Sequence, residues 1–266
     1  MRVDGWRLIE DGLCDGVINM ATDQAILQAC SEDRVPPTLR LYGWRSPALT
    51  VGYSQNADRD VDRGRCVELG IPLIRRPTGG RAILHHMELT YCIVAPLSHP
   101  LFPQNLKGTY RVIAEALQMG LEELGIRDAV MAMSQKGLPR QERSPSCFSS
   151  LNHCEIAVQG RKLIGSAQRR LSKAFLQHGS VVIKSNHELL NSLFRFKNME
   201  HGLQDLQHLR DSTIALNDIF PGIGYEEVRG CFLKGFRRLF SEGMEKGELT
   251  SIESTLCDGF LGSVLL

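Results

Sequence analysis

The pattern of hydrophobic positions predicts short strands through the first two thirds of the chain and helices in the last third. The strand-like runs are residues 5–10, 39–44, 48–53, 71–76, 81–85, 89–95, 155–158, 162–164 and 175–183. Helical spacing appears at residues 19–29, 58–65, 113–124 and 225–240. We therefore expect a sheet with tight turns in the middle of the chain and a helical C-terminal portion from about residue 186.

Turn signals join several of these runs. Ser46-Pro47 predicts a hairpin between the second and third strand-like runs, and Gln159-Gly160 predicts another between residues 155–158 and 162–164. The polar stretch from Ser134 to Ser146 contains two prolines and no apolar periodicity, which predicts an exposed, mobile loop.

Composition and charge narrow the class of protein. The 266 residues are 42% hydrophobic and 23% charged, which is typical of a globular chain that buries a full core, and we expect residues 1–266 to form a single domain. The formal net charge of +1 provides no overall field for nucleic acid or an anionic membrane. No apolar stretch has the length of a signal peptide or a membrane span, so the prediction is a cytoplasmic protein.

Cofactor and metal signatures are weak. No Cys-x-x-Cys pair occurs among the eight cysteines (residues 14, 30, 66, 92, 147, 154, 231 and 257), which argues against a zinc site. His85 and His86 are adjacent on a predicted strand and point to opposite faces, so we expect no metal there. Alternation would place His85 on the face of the glycine turn, with His86 and Glu88 on the other. Phosphate-loop and dinucleotide fingerprints are incomplete, so neither ATP nor NAD is supported.

The segment from Arg75 to Arg81 places three arginines around Gly79-Gly80, and is called the glycine turn below. Glycines let a substrate approach the backbone closely, and exposed amides with arginines suit an anion or an acyl carbonyl. A plain hairpin turn with solvated arginines explains the same spacing equally well.

Cys147 is the cysteine whose surroundings suggest chemistry. It follows the predicted loop and precedes the hairpin, whereas six of the others lie in or beside apolar segments. A thiol becomes a nucleophile when a nearby cation favours the thiolate, and Lys162 lies across the predicted hairpin. Packing for the cysteine and a solvated turn position for the lysine are the simpler interpretations of each residue alone.

Five segments together resemble the lipoate-protein ligase and octanoyltransferase superfamily, whose fold is shared with biotin ligases. They are Asn19-Met-Ala-Thr-Asp23, Pro37-Thr-Leu-Arg-Leu-Tyr-Gly-Trp44, Arg75-Arg-Pro-Thr-Gly-Gly-Arg-Ala82, Glu88-Leu-Thr-Tyr91 and Gly160-Arg-Lys-Leu-Ile-Gly-Ser-Ala-Gln168. Within it the chain is most similar to the cysteine-dependent octanoyl-[acyl-carrier-protein]:protein N-octanoyltransferases of the LipM type. The resemblance implies an α/β (α+β) fold with a mixed, largely antiparallel central sheet flanked by helices.

The resemblance also implies site residues and partners. Cys147 would be the nucleophile and Lys162 the lysine that lowers the pKa of its thiol, with no cofactor and no metal. The expected substrate-binding residues are Arg76, Thr78, Gly79, Gly80, His85, Gly165 and Ser166. The donor would be octanoyl-acyl carrier protein, and the acceptor an apo-lipoyl domain or the glycine cleavage H protein.

Three alternatives remain open. An ATP-dependent lipoate-protein ligase would usually carry a third glycine where this chain has Arg81, and an Asn-Asp pair near Cys147. An amidotransferase would take the octanoyl group from an acylated glycine cleavage carrier, and the residues before Lys162 fit that group less well. A lipoyl-domain binding protein without activity would keep the fold alone.

Overall fold

The computed structural model describes residues 5–132, 155–240 and 243–266. Its strands are β1 (Trp6–Cys14), β2 (Thr38–Trp44), β3 (Ala48–Val51), β4 (Leu73–Arg75), β5 (Ile83–His85), β6 (Glu88–Pro96), β7 (Val130–Ala132), β8 (Glu155–Val158), β9 (Arg161–Arg170), β10 (Ala174–Val182) and β11 (Met244–Lys246). Its helices are α1 (Gly16–Ser31), α2 (Ala57–Asp60), α3 (Arg63–Glu68), α4 (Leu106–Glu123), α5 (His187–Ser192), α6 (Met199–Ser212), α7 (Leu216–Ile219), α8 (Tyr225–Leu239) and α9 (Ser251–Val264). The predicted loop 134–146 and Cys147 lie outside the described residues.

Eight strands form one large sheet in the order β11-β1-β2-β6-β10-β9-β8-β7. β1 runs parallel to β11 and β2, and every other neighbouring pair is antiparallel. The central strands β6 and β10 are buried along almost their whole length, and their polar residues Glu88, Thr90, Gln177, His178 and Ser180 are buried with them. The predicted mixed, largely antiparallel sheet is confirmed.

A small second sheet in the order β4-β3-β5 corrects one predicted hairpin. β2 pairs with β1 and β6 in the large sheet, whereas β3 pairs with β4 and β5. The turn at Ser46-Pro47 exists, but it carries the chain from one sheet to the other. β4 and β5 both flank β3, so the glycine turn between them is not a plain hairpin turn either. Local turn chemistry predicted the bends, while the choice of partner strands depended on distant segments.

Helices cover both faces of the large sheet. α4 and α8 pack together on one face, where Ile113, Leu117 and Leu121 join Phe232 and Phe236 in the main core. α1 and α9 pack together on the other face over a second core cluster. A third cluster fills the space between the small sheet and the α5–α6 region.

The single helix predicted from residue 58 to residue 65 is wrong in detail. The structure breaks it into α2 and α3, because the side chain of Asp62 caps the first turn of α3 by accepting from the Arg65 amide. Val61, between the two helices, is buried and bridges to Phe194. A buried position and a capping residue at that point end one helix and begin the next.

The two ends of the described chain meet. β11 pairs with β1, and α9 packs on α1. Arg7 of β1 and Glu253 of α9 form a buried ion pair, with Nη2 and Oε1 at 2.5 Å. Within residues 5–132, 155–240 and 243–266, no helix combines the length and apolar character that crossing a membrane requires.

Candidate active site

A cavity of about 1490 Å³ is lined by residues of both sheets. Six of the seven residues predicted to bind substrate line it, namely Arg76, Gly79, Gly80, His85, Gly165 and Ser166. Its volume exceeds the roughly 300–1,000 Å³ of a typical small-molecule pocket, so it can hold more than a short acyl chain. The substrate-binding role of these residues stays a prediction.

The glycine turn is held against β3 by close backbone contact. A Cβ atom on Gly52 would lie 2.0 Å from the carbonyl oxygen of Gly80, which has a φ of +99°. The guanidinium of Arg76 donates to the carbonyl oxygen of Gly79 at 2.8 Å and to that of Arg81 at 2.8 Å. Arg76 is buried, so its donors fix the shape of the turn that forms the cavity wall.

Thr78, the seventh predicted residue, lies behind this wall. Its Oγ1 is buried and lies 2.7 Å from Nε2 of His178, a cavity-lining residue on β10. Nδ1 of His178 lies 2.9 Å from Oδ2 of Asp23 on α1. Asp23 also accepts hydrogen bonds from Arg40 and Tyr42, each at 2.8 Å. Residues of three of the five sequence motifs therefore meet in one buried polar network.

The protonation states in this network follow from burial and charge. Burial opposes ionisation of Asp23, but hydrogen bonding from His178 and the nearby Arg40 lower the pKa of Asp23 below its ordinary value. Burial lowers the pKa of His178 below its ordinary value, outweighing the opposite influence of Asp23. A neutral His178 donates a hydrogen bond from Nδ1 to ionised Asp23 and accepts one at Nε2 from the Thr78 hydroxyl. Both nitrogens are then occupied, so His178 positions Thr78.

His85 forms a similar arrangement with Glu88. Nδ1 of His85 lies 2.8 Å from Oε1 of Glu88, and Nε2 lies 2.8 Å from Oγ1 of Thr50. The Trp44 ring stacks on the His85 ring with centroids 4.0 Å apart. The expectation that Glu88 faces away with His86 is therefore wrong. β5 ends at His85 and β6 starts at Glu88, so strand alternation is interrupted between them.

Glu88 is the anionic centre of this second cluster. Its Oε1 also accepts hydrogen bonds from the hydroxyls of Thr90 and Ser180, each at 2.7 Å. Burial opposes ionisation, but His85 and the hydroxyl donors lower the pKa of Glu88 below its ordinary value. Both clusters are buried and hydrogen-bonded, and each contributes residues to the cavity wall, including His178 from the first and His85, Thr90 and Ser180 from the second.

Lys162 is not a solvated turn residue, since only 1% of it is exposed. Its Nζ donates to Oε1 of Glu155 at 2.5 Å, and Glu155 is itself buried and lines the cavity. The hairpin that brings them together is confirmed. Gln159 and Gly160 have φ values of 52° and 72°, as a two-residue turn of this hand requires.

A β-bulge in β9 determines the direction of the Lys162 side chain. Lys162 lies opposite Ala157 on β8, but Ile164 lies opposite Ile156, so β9 carries one extra residue at Leu163. Regular alternation would place Lys162 on the face of Ile164. The extra residue places it instead on the face shared by Ala157 and Glu155, beside the cavity.

The other cysteines contrast with the position predicted for Cys147. The six described cysteines are free thiols, and burial raises the pKa of Cys14, Cys66, Cys92 and Cys231, and that of Cys30 to about 12. None of those five is poised as a thiolate. In the described ranges no three His, Cys, Asp or Glu side chains are arranged to hold a metal ion.

Sequence reasoning missed four functional-site candidates, namely His178, Asp23, Glu88 and Glu155. Asp23 and Glu88 stood in quoted motifs without an assigned role, and their charge within apolar segments was a usable signal. His178 and Glu155 gave no such signal, because only the pairing of β10 and β8 with their neighbours brings them to the cavity.

The comparisons with known proteins identify the family of this chain. The family model described as the lipoyl protein ligase A/B catalytic domain matches residues 15–237. The chain belongs to this family. Octanoyltransferase LipM of Geobacillus kaustophilus is 38% identical over 259 residues, covering 95% of this chain and 92% of the relative. Octanoyltransferase LipM of Bacillus subtilis is 33% identical over 258 residues with the same coverage. The predicted resemblance to LipM-type octanoyltransferases is confirmed.

Solved structures share the fold at low sequence identity. A lipoate-protein ligase A bound with ATP has a TM-score of 0.78 at 22% identity and covers 98% of this chain and 95% of its own. A bipartite lipoate protein ligase from Thermoplasma acidophilum, described with its E2 lipoyl domain, has a TM-score of 0.75 at 19% identity, covering 98% and 93%. The lipoate-ligase fold predicted from the motifs is confirmed.

Proposed function

We propose that this chain takes an octanoyl group from octanoyl-acyl carrier protein, holds it as a thioester on Cys147 and passes it to a lysine side chain. The acceptor is an apo-lipoyl domain or the glycine cleavage H protein, and both partners are met in the cytoplasm. The chain is an octanoyltransferase of lipoate biosynthesis, related over 95% of its length to the LipM enzymes.

The buried Lys162 at the edge of the cavity is the observation that supports this proposal best. A lysine is rarely buried unless it is paired, and here the bulge in β9 directs it to the cavity side. Its ammonium is bonded to Glu155, and Glu155 lines the same cavity as Gly165 and Ser166. In this role it lowers the pKa of the Cys147 thiol and increases the fraction of thiolate at neutral pH.

In the first step the Cys147 thiolate attacks the thioester carbonyl of the donor. A carbon–sulfur bond to Cys147 forms, the bond to the carrier sulfur breaks, and the carrier thiolate leaves and takes up a proton. One thioester replaces another, so the step is nearly balanced in free energy and needs no ATP.

In the second step the neutral ε-amine of the acceptor lysine attacks the acyl-enzyme. The amide bond forms, the carbon–sulfur bond to Cys147 breaks, and the proton lost by the amine passes to the departing Cys147 sulfur, which regenerates the free thiol. Backbone amides of the glycine turn and of the Gly165–Ser166 segment stabilise the oxyanion that develops in both steps. Replacing a thioester with an amide makes the overall transfer favourable.

The test is intact mass spectrometry after incubation with octanoyl-acyl carrier protein. We expect one octanoyl adduct on the wild-type chain, its loss on addition of an apo-lipoyl domain, and no adduct on Cys147→Ala. Cys30→Ala is a matched control that removes a buried thiol and keeps the adduct. An adduct that persists in Cys147→Ala, or none in the wild type, contradicts the thioester route.

The same assay separates the alternatives. Acylation of the acceptor from free octanoate and ATP, with release of pyrophosphate, indicates a lipoate ligase. Transfer only from an octanoylated glycine cleavage carrier indicates the amidotransferase. Binding of a lipoyl domain without any transfer indicates a protein that lacks activity.

A further inference from the structure

The cavity carries an excess of positive charge at its outer edge. Among its described lining residues, the cations are Arg59, Arg76, Arg81, Arg195 and Lys197, and the anions are Asp60 and Glu155. Arg76 is bonded to backbone carbonyls of the glycine turn, and Glu155 is paired with Lys162. The excess positive charge therefore comes from the lining cations other than Arg76. The formal net charge of the whole chain is only +1, so this charge is local to the cavity.

Two distant segments bring three of these cations together. The amide of Asp62 donates to the carbonyl of Leu193 at 2.8 Å, and the amide of Arg195 donates to the carbonyl of Asp60 at 3.0 Å. Nη1 of Arg195 also reaches the carbonyl oxygen of Asp58 at 3.1 Å. The segment that carries Arg195 and Lys197 is thus fixed against α2. We call Arg59, Arg195 and Lys197 the cationic rim.

The carboxylates near this rim are already neutralised. Asp60 pairs with Arg59 at 2.6 Å, and Asp58 pairs with Arg63 at 2.7 Å. Arg195 and Lys197 are exposed, and in the described part of the chain neither has a carboxylate within salt-bridge distance. Two uncompensated cations therefore lie at the mouth of the cavity, where they attract an anion.

We infer that the cationic rim binds the phosphate of the 4′-phosphopantetheine arm that presents the acyl thioester to the cavity. The inference rests on the proposed function, because the donor in that reaction is an acyl thioester on a carrier protein. Such an arm is long, narrow and anionic at one end, and the cavity has room beyond the acyl chain for it. Arginine and lysine are the side chains that recognise phosphate.

The phosphate fixes how far the arm enters. With the phosphate held by Arg195 and Lys197 at the mouth, the thioester end extends past the glycine turn toward the inner cavity wall. A donor without the phosphate keeps the acyl chain and the thioester but loses this anchor. Because the cationic rim is exposed, we expect its contact with the phosphate to raise kcat/KM for the donor by roughly two- to tenfold.

The experiment compares octanoyl-4′-phosphopantetheine with octanoyl-pantetheine as donors to an apo-lipoyl domain. For the wild type we expect kcat/KM to be roughly two- to tenfold higher with the phosphorylated donor, mainly through KM. In the double variant Arg195→Met and Lys197→Met, the ratio between the two donors should fall to about one. The matched control, Lys173→Met with Arg237→Met, removes one exposed lysine and one exposed arginine that do not line the cavity. It should keep the wild-type ratio.

The outcomes are distinguishable. A wild-type enzyme that uses both donors equally, or a double variant that keeps the preference, overturns the inference while leaving the octanoyl transfer intact. If only the protein-bound donor reacts, the inhibition constants of free 4′-phosphopantetheine and of pantetheine are compared instead. We expect 4′-phosphopantetheine to inhibit the wild type roughly two- to tenfold more tightly, and the double variant equally. Failure of octanoyl-acyl carrier protein itself as a donor overturns the proposed function instead. Loss of ATP-dependent acylation in the double variant assigns the rim to a nucleotide and overturns the pantetheine assignment.

Discussion

At the scale of single residues, the environment of Lys162 is the feature that most changes the meaning of the sequence. A lysine next to a predicted two-residue turn ordinarily points into water. Here it is buried beside Glu155, with Nζ and Oε1 at 2.5 Å. A buried charge is stable only when it is paired, so the carboxylate holds the ammonium in place.

Replacement of Glu155 tests this pairing. We expect Glu155→Gln to lower the free energy of unfolding by about 3 kcal/mol, because it leaves the ammonium of Lys162 buried beside a neutral amide. Urea unfolding at pH 7, followed by tryptophan fluorescence, measures the loss.

The control for this prediction is the double variant Glu155→Gln with Lys162→Met. Removing both charges should restore much of the lost stability, since no buried ammonium remains without its carboxylate. A loss of less than 1 kcal/mol in the single variant, or none recovered in the double variant, would contradict a close ion pair.

At the scale of elements, strand pairing decides which residues reach the cavity. β3 pairs in the small sheet and not in the large one. The glycine turn therefore lies directly against Gly52, which follows β3. The approach is so close that Gly52 has no room for a Cβ atom toward the carbonyl of Gly80. The shape of the cavity wall therefore depends on a residue that does not itself line the cavity.

Gly52→Ala should displace the glycine turn. We expect a loss of about 1–3 kcal/mol in stability, as for other overpacked sites, together with a higher KM for the acyl donor. Thermal unfolding and steady-state kinetics measure the two effects.

Gly79→Ala is the matched control for stability, since a Cβ on Gly79 meets no atom within 4 Å. Its free energy of unfolding should lie within about 0.5 kcal/mol of the wild-type value. Equal stability of Gly52→Ala and Gly79→Ala would show that the turn adapts without cost.

At the scale of the whole molecule, the buried polar network connects α1, β2, β10 and the glycine turn through Asp23, Arg40 and His178. Contacts between α1 and α9 and between β1 and β11 also bring the two ends of the described chain together. We propose on this basis that residues 1–266 fold as one domain, as the sequence predicts.

Acidification should weaken this network. The pKa of His178 is lowered by burial, so below about pH 6.5 the unfolded chain binds a proton that the native chain excludes. Stability from this group is therefore present above pH 6.5 and is lost as the pH falls through the lowered pKa. His187 contributes in the same direction, because burial lowers its pKa as well.

Urea unfolding at pH 7.5 and at pH 5.5 measures this effect. We expect the loss of stability between the two values to be about 1 kcal/mol smaller in His178→Gln, which has no group to protonate there. His201→Gln, which replaces an exposed histidine, is the control and should keep the wild-type difference. Identical pH dependence in wild type and His178→Gln would show that His178 is not held neutral.

The sequence by itself determined most strands of the two sheets, the helices α1, α4 and α8, the hairpin at Gln159-Gly160, the family and six of the residues that line the cavity. These follow from local signals, such as alternation, helical spacing, turn chemistry and motifs, which a single stretch of chain contains. Tertiary structure alone decided that β2 and β3 separate into two sheets, that a bulge turns Lys162 toward Glu155, and that Arg195 and Lys197 reach the cavity. Each of these depends on strand pairing or on backbone hydrogen bonds between segments far apart in sequence, for which no local pattern exists.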